Sequence, residues 1–264
     1  MIIDISGLDA SISSTGICFA KCCFKEEYKD IVSRILLGEE KDDELISKFS
    51  EIFMIVFSDE IKEIKETKKL LAKARKNIRE NNPPSRIDII DVERFCIERL
   101  THQSRNIFNY IKEYAPVIVT MEDYSYSSQG SIVQMAELKG ALKSDLSNYT
   151  TIWEDFDYIN IPIKSVKKIV GMNGNANKEM IFWNIQRFGV DVIEKEDDRN
   201  DAISLVISTF FAIYFRLFGL NFPESKDKKI KNSIKSFENS LNTLSNRFGD
   251  REEIMVSYLS EERN

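Results

Sequence analysis

The sequence predicts a mixed α/β fold, a five-stranded sheet flanked by helices, and two observations favour it. Strand-like stretches come first along the chain, at residues 2–9, 15–24 and 31–37. Stretches with helical spacing then alternate with two further strand-like stretches, 117–122 and 158–163. Strands that come first, followed by helices alternating with later strands, are typical of a mixed sheet rather than a doubly wound parallel one.

The first three expected strands are separated by short turns. Residues 2–9 and 15–24 are joined by the turn 11–14, and strands this close in sequence pair as an antiparallel hairpin. The third expected strand, 31–37, is ended by Gly38. The N-terminal part of the sheet should therefore begin as an antiparallel hairpin.

A helical insertion is expected at residues 39–85. Apolar residues recur at helical spacing through it, and two prolines close it before Ser85. Between Thr67 and Arg79 every charged residue is basic, which has two interpretations of equal weight. The run is either a solvated helix face or a helix that follows nucleic-acid phosphates. The candidate DNA-binding residues of this run are Lys68, Lys69, Lys73 and Lys76.

The middle of the chain predicts a helix, a central strand and a second helix. Residues 91–114 form the first helix, and 117–122 is apolar without alternation, which suits a strand buried on both faces. Residues 131–146 then form an amphipathic helix. Its apolar face packs on the sheet or forms a two-fold interface between subunits, and the residues of that face include Met135, Leu138 and Leu142.

The last third of the chain predicts two helices and a charged extension. A helix is expected at 177–188 and a very apolar one at 198–218. The longest apolar run of the latter, 203–215, is shorter than the roughly 20 residues that span a bilayer, so it predicts a buried core helix and no membrane contact. The expected organisation is a main domain at 1–222 and a charged helical extension at 223–264.

Charge and cysteine usage restrict the function. The net charge of −6 argues against binding duplex DNA by overall charge, so any nucleic-acid surface must be local. The four cysteines lack the spacing of a zinc site and indicate reduced thiols. The N-terminus shows no basic segment followed by an apolar run, so a cytoplasmic location is expected.

Four acidic residues form the candidate site. Asp9 and Glu122 each end an apolar strand, while Asp198 and Asp201 lie three apart at the start of a helix and share one face. Singly, such acids commonly cap helices or favour the helix dipole. Brought together they repel one another, and bound cations relieve that repulsion. Oxygen ligands of this kind suit Mg²⁺ or Mn²⁺. Asp197 is a rival to Asp198, because residues four apart also share a helix face.

Four segments resemble the motifs of RuvC-type Holliday-junction resolvases, which belong to the RNase H-like superfamily. Residues 6–17 (SGLDASISSTGI) resemble the first acidic motif, and 121–146 look like the second motif with its helix, especially in bacteriophage members. Residues 161–181 are similar to the family's lysine-rich and glycine-rich segment, and 198–202 (DRNDA) match its closing motif. The segments occur in the family's order.

The resemblance implies an RNase H-like fold and a homodimer that cuts four-way DNA junctions. It also implies two-metal chemistry at the site, with two Mg²⁺ ions replaceable by Mn²⁺. The implied metal ligands are Asp9, Glu122, Asp198 and Asp201, the alanine after Asp201 favouring Asp198 over Asp197. Lys178 matches a family lysine whose expected role is to hold or polarise the scissile phosphate.

Further DNA contacts are expected around the second and third motifs. In bacterial resolvases an aromatic residue shortly after the second acid wedges into the junction; here Ser125 occupies that position, flanked by two tyrosines that are candidates for stacking on bases. Three lysines precede a glycine-containing loop that either approaches a phosphate or is a plain surface turn. These candidates are Tyr124, Tyr126, Lys164, Lys167 and Lys168.

The sequence therefore predicts a divalent-metal-dependent, structure-specific endonuclease that resolves Holliday junctions or other branched DNA. The rivals are a flap or branched-DNA nuclease with looser specificity, and a non-catalytic nucleic-acid-binding or assembly protein that retains the fold. The sugar kinases that share the superfamily are not favoured, because no nucleotide-phosphate loop is evident. His102, the one histidine, is expected to be structural.

Overall fold

A computed structural model gives the fold, with a central sheet of five strands. It describes residues 1–11, 13–37, 43–81, 83–123, 132–150, 157–223, 228–250 and 253–254. The strands are β1 (Ile2–Asp9), β2 (Ser14–Cys23), β3 (Phe53–Lys62), β4 (Ile118–Glu122) and β5 (Asp157–Ile161). Their order in the sheet is β3-β2-β1-β4-β5. The first three strands are antiparallel neighbours, and β4 and β5 run parallel to β1, so the predicted mixed five-stranded sheet is confirmed.

Helices cover both faces of this sheet. They are α1 (Lys29–Leu37), α2 (Asp43–Ile52), α3 (Lys65–Glu80), α4 (Arg86–Tyr114), α5 (Ile132–Thr150), α6 (Ile163–Gly171), α7 (Lys178–Gln186), α8 (Asp197–Phe218) and α9 (Lys228–Ser245). One core lies between the sheet and the helices around α8, and a second core lies between the opposite face and α4 with α5. Helix α9 contributes Phe237 and Leu241 to the first core, so this part of the expected extension packs on the main body.

The expected third strand is wrong. Residues 31–37 belong to α1, which buries Val32, Ile35 and Leu36. That spacing matches one helix face, whereas a strand would bury alternate residues. The third strand is β3, inside the expected helical insertion at 39–85, which is therefore only partly helical. Its run Phe53-Met-Ile-Val-Phe57 is rich in aromatic and β-branched residues, and these prefer a pleated surface.

Helix α4 begins earlier than expected and carries a small separate core. Ser85, expected only as part of a chain break, caps α4 by accepting a hydrogen bond from the Asp88 amide at 3.1 Å. Helix α3 packs along the first part of α4, around a small cluster that includes Leu71 and Phe95. We call residues 65–98 the arm.

Helices α5 and α8 pack on opposite faces of the sheet. Leu138 and Leu142 of α5 are fully buried against the sheet, so the alternative in which they form a subunit interface is wrong. Helix α8 is long and apolar enough to cross a membrane by length and composition, but most of it is buried in the core. That burial confirms the expected core helix.

Candidate active site

Asp9 and Glu122 lie side by side because β1 and β4 are parallel neighbours. The register pairs Leu8 with Met121, so the next residue of each strand follows at the same level. Side chains alternate along a strand. Ile5 of β1 and Ile118 of β4 belong to the core under α8, and the alternation from these residues places Asp9 and Glu122 on the same face. Both carboxyl groups are therefore directed to the start of α8.

The start of α8 approaches the sheet closely because two sheet positions lack a side chain. A Cβ atom added to Gly16 of β2 would collide with the backbone of Asp198 and lie 2.8 Å from the Arg199 nitrogen. A Cβ atom added to Gly7 would lie 2.9 Å from the Val206 side chain and would collide with the α8 backbone. Gly16 of the first motif thus has a physical role: it lets the helix that carries the last two acids reach β2.

The four predicted acids interact with one another. Burial, followed by the charges of Asp201, Glu122 and Asp198, raises the pKa of Asp9 well above its usual value. Asp9 also shares a side-chain hydrogen bond with Glu122, whose own pKa is raised by burial. Burial raises the pKa of Asp201 to about 7 against the opposing charge of Lys178. The structure thus brings together carboxylates from the beginning, middle and late third of the chain.

The four carboxylates are suitable ligands for hard divalent cations, although their side chains do not converge as tightly as those around a bound ion. Among the described residues, no three acidic, cysteine or histidine side chains converge as tightly as metal ligands do. The four acids offer only carboxylate oxygens, the ligands that Mg²⁺ and Mn²⁺ prefer. A nearby cation would offset the burial and mutual repulsion that raise their pKa values.

Asp197 and Asp198 have different surroundings. The Asp197 carboxylate is 47% exposed and pairs with the Lys178 ammonium at 2.9 Å. Asp198 interacts with Asp9, and its pKa is raised by burial, against the effect of the Ser14 hydroxyl. Asp198 is therefore the residue that joins the cluster, while Asp197 contacts a lysine at its rim.

The predicted lysines divide between the site and other surfaces. Lys178 is the first residue of α7, and Lys167 of α6 is close enough to Glu122 and Asp201 to oppose the rise in their pKa values. Lys164 is exposed on α6, whereas Lys168 turns to α9 and donates to the Ser236 hydroxyl at 2.9 Å.

The lysines of α3 all lie exposed on the arm. Lys68 pairs with Glu63 at 2.7 Å and Lys76 with Glu80 at 3.5 Å, while Lys69 and Lys73 are exposed on the same helix. Tyr124 and Tyr126 lie outside the described residues.

Two charged residues beside the cluster were missed from the sequence. Lys139 of α5 is only 1% exposed, and its ammonium donates to the Glu122 carbonyl oxygen at 2.6 Å. A signal was present, because Lys139 falls within the apolar stripe of α5, between Met135 and Leu142. Glu60 lies close enough to Asp198 to raise its pKa further, and it was missed because β3 was not recognised.

Comparison with known proteins shows that the fold of the chain resembles that of solved structures. No protein-family model and no curated protein matches the chain. Among solved structures, RuvC of Thermus thermophilus matches with a TM-score of 0.50 and 13% identity, over 80% of this chain and 95% of that one. The chain has the RNase H-like fold of RuvC. The structure of T. thermophilus RuvC in complex with a Holliday junction substrate matches with a TM-score of 0.49 and 12% identity, over 82% of this chain and 97% of that one.

Proposed function

We propose that the chain is a divalent-metal-dependent endonuclease that resolves Holliday junctions or other branched DNA. One observation carries the proposal: Asp9, Glu122, Asp198 and Asp201 interact with one another at one end of an RNase H-like sheet. The four segments that resemble RuvC motifs contribute these same acids in the same order. A protein that kept only the fold would have no need to hold four mutually repelling, half-buried carboxylates in one place.

In this proposal the four acids hold two Mg²⁺ ions, or Mn²⁺ in their place. Bound there, the cations would lower the pKa of a water nucleophile and stabilise the charge on the leaving oxygen. The protein's own part is to present Asp9 and Glu122 from fixed strand ends and Asp198 and Asp201 from one helix face. Because these positions belong to regular elements, the site is preorganised for the phosphodiester.

The lysines at the rim are proposed to hold the DNA. Lys178 and Lys167 carry positive charge next to the carboxylates, where the scissile phosphate must lie. Lys178 would exchange its contact with Asp197 for a phosphate oxygen, since charge-assisted hydrogen bonds to phosphate are strong. Lys164 and the exposed lysines of α3 would contact phosphates further along the duplex.

The proposal further includes that the protein acts as a homodimer in the cytoplasm. It would be a RuvC-type resolvase of the kind found in bacteriophages. A four-way junction has two-fold symmetry, so two copies of the site would cut two strands at equivalent positions. The interface must lie elsewhere than the buried Leu138 and Leu142. Sedimentation of the free protein, and of its junction complex, measures the stoichiometry directly.

The test is a cleavage assay on labelled DNA with matched variants. We expect the wild-type protein to cut a four-way junction with Mg²⁺, to cut plain duplex at least tenfold more slowly, and to be inactive with a chelator. Asp9→Asn should lose cleavage by a factor of 100 or more, on the order of one catalytic carboxylate, yet bind the junction with similar affinity. Asp30→Asn, an exposed acid of α1, is the control.

Other outcomes would point to the rivals. Equal cutting of flaps and junctions would indicate a nuclease with looser specificity. Retained cleavage by Asp9→Asn would refute the assignment of the site. A wild-type protein that binds the junction but neither cuts it nor binds Mn²⁺ would be a non-catalytic DNA-binding protein.

A further inference from the structure

Lys139 is buried close to Glu122 and Asp9, on the helix that packs against the opposite side of the sheet. It is 1% exposed, and lysine is among the residues least often buried without a partner. Its neighbours Leu138 and Leu142 on α5 pack into the core on the face away from α8. Lys139 therefore places a positively charged side chain on a helix face whose other buried residues are aliphatic.

Lys139 contacts the backbone at the end of β4. Its Nζ donates to the Glu122 carbonyl oxygen at 2.6 Å, and the next amide, that of Asp123, donates to the Ile161 carbonyl at 2.8 Å. The last peptide of β4 is thus held by α5 from one side and by β5 from another. The direction of the Glu122 side chain follows from the position of this peptide.

The positive charge of Lys139 lies close to the negatively charged carboxylates of the site. Burial lowers its pKa, while the carboxylates of Glu122, Asp9 and Asp123 oppose that shift. Lys167 and Lys178 also face the acids, but Lys178 is 63% exposed and open to DNA. Lys139 is closed to solvent, so it acts on the site through Glu122 and not by contact with a substrate.

We propose that Lys139 is a positioning residue: its ammonium fixes the carbonyl of Glu122 and so places the Glu122 carboxylate toward Asp9 for cation binding. The role in cation binding rests on the proposed function. The positioning itself is a property of the metal-free protein and is measurable without any activity.

The first measurement is amide hydrogen exchange, by NMR, on the full-length protein without metal. Lys139→Met keeps the volume of the side chain and removes its donor. We expect the Asp123 amide to exchange about tenfold faster in this variant, the size expected for one lost buried hydrogen bond. Amides of β1 and β2 should be unchanged. Lys143→Met, one turn later on α5, is the matched control and should leave Asp123 protected.

The second measurement is calorimetric titration with Mn²⁺. Lys139→Met should raise the dissociation constant about tenfold, because a displaced Glu122 binds the cation poorly; Lys139→Arg, which keeps a cationic donor, should recover most of the affinity. A residue that acted by charge alone would give the reverse, since removing a positive charge near the site tightens cation binding.

The outcomes separate this inference from the proposed function. Unchanged exchange at Asp123, or tighter Mn²⁺ binding by Lys139→Met, overturns the positioning role. A wild-type protein that binds no Mn²⁺ refutes the proposed metal site, while the exchange comparison still decides the role of Lys139. If Lys139→Met does not fold, Lys139→Gln, which is shorter and uncharged, replaces it with the same expected loss of protection.

Discussion

At the scale of single residues, the candidate site works against the stability of the metal-free fold. Asp201 is the clearest case, because burial raises its pKa to about 7 from the ordinary value of 3.8. The folded chain therefore binds this proton more tightly than the unfolded chain does. The resulting stabilisation is complete below about pH 4 and is lost as the pH rises through 7. Above pH 7 the carboxylate is ionised in a place that favours the neutral acid.

Asp201→Asn should therefore stabilise the metal-free protein increasingly as the pH rises. The asparagine is similar in shape and cannot ionise. We expect the free energy of unfolding of the variant to exceed that of the wild type by about 1–3 kcal/mol at pH 8, and by little at pH 4. Urea denaturation in the presence of a chelator, at four or five pH values, measures the difference.

Saturating Mn²⁺ supplies the control for this prediction. A cation that binds the folded wild-type site stabilises it by an amount that grows with the logarithm of its affinity, and the variant should gain less. The advantage of Asp201→Asn should then shrink or reverse at pH 8. A difference between the two proteins that did not depend on pH would show that the carboxylate does not titrate as described.

At the scale of elements, the approach of α8 to β2 decides whether the site can form. Asp198 and Asp201 reach Asp9 only because Gly16 leaves room for the backbone of the first turn of α8. A close-packed core has no room for an added methyl group, so a side chain at this position would push the backbone of α8 away from β2. A single methyl group at this position should displace two of the four acids together.

Gly16→Ala should thus reduce both stability and metal binding. We expect about 1–3 kcal/mol of lost stability, the usual cost of overpacking, and weaker Mn²⁺ binding by at least tenfold. Urea denaturation and calorimetric titration measure the two effects. Gly140→Ala is the matched control: its added Cβ meets nothing within 4 Å, so α5 should be unchanged or stabilised by up to about 1 kcal/mol. Equal behaviour of the two variants would refute the role of Gly16.

The elements that bear the site were also those most open to prediction. The β1–β2 hairpin, β4 and α8 have patterns with one interpretation: a short turn, an unbroken apolar run and a long apolar helix. Strand β3 was missed because Phe49, Ile52, Phe53 and Val56 continue a helical spacing across the end of α2. Lys139 was missed although it falls within the apolar stripe of α5, because the carbonyl oxygen that it contacts is a backbone atom that no sequence pattern reveals.

At the scale of the whole molecule, the net charge of −6 has to be reconciled with a proposed DNA substrate. The acids of the candidate site account for part of it, and bound cations would offset them. The arm carries a basic surface on α3, where Lys69 and Lys73 are exposed on one helix. Positive charge concentrated on one element contacts phosphates even when the protein as a whole is acidic.

Replacing Lys69 and Lys73 together by Gln should weaken junction binding and reduce its salt dependence. Each phosphate contact contributes about 0.9 to the slope of the logarithm of affinity against the logarithm of salt concentration, so the slope should fall by about 2. Fluorescence anisotropy with a labelled junction between 50 and 200 mM salt, roughly the range in which such contacts matter, measures it. The stability of the variant should stay that of the wild type, because both side chains are exposed.

The same double substitution at Lys231 and Lys235, exposed lysines of α9, is the control for the loss of charge. If both variants lowered the slope equally, the affinity for DNA would depend on the net charge of the protein and not on the arm. If neither did, α3 would be a solvated helix, the other interpretation of its sequence. A lower slope for the α3 variant alone, with the cutting rate at saturating protein unchanged, would assign the arm to DNA binding and leave the chemistry with the acids at the end of β1 and β4.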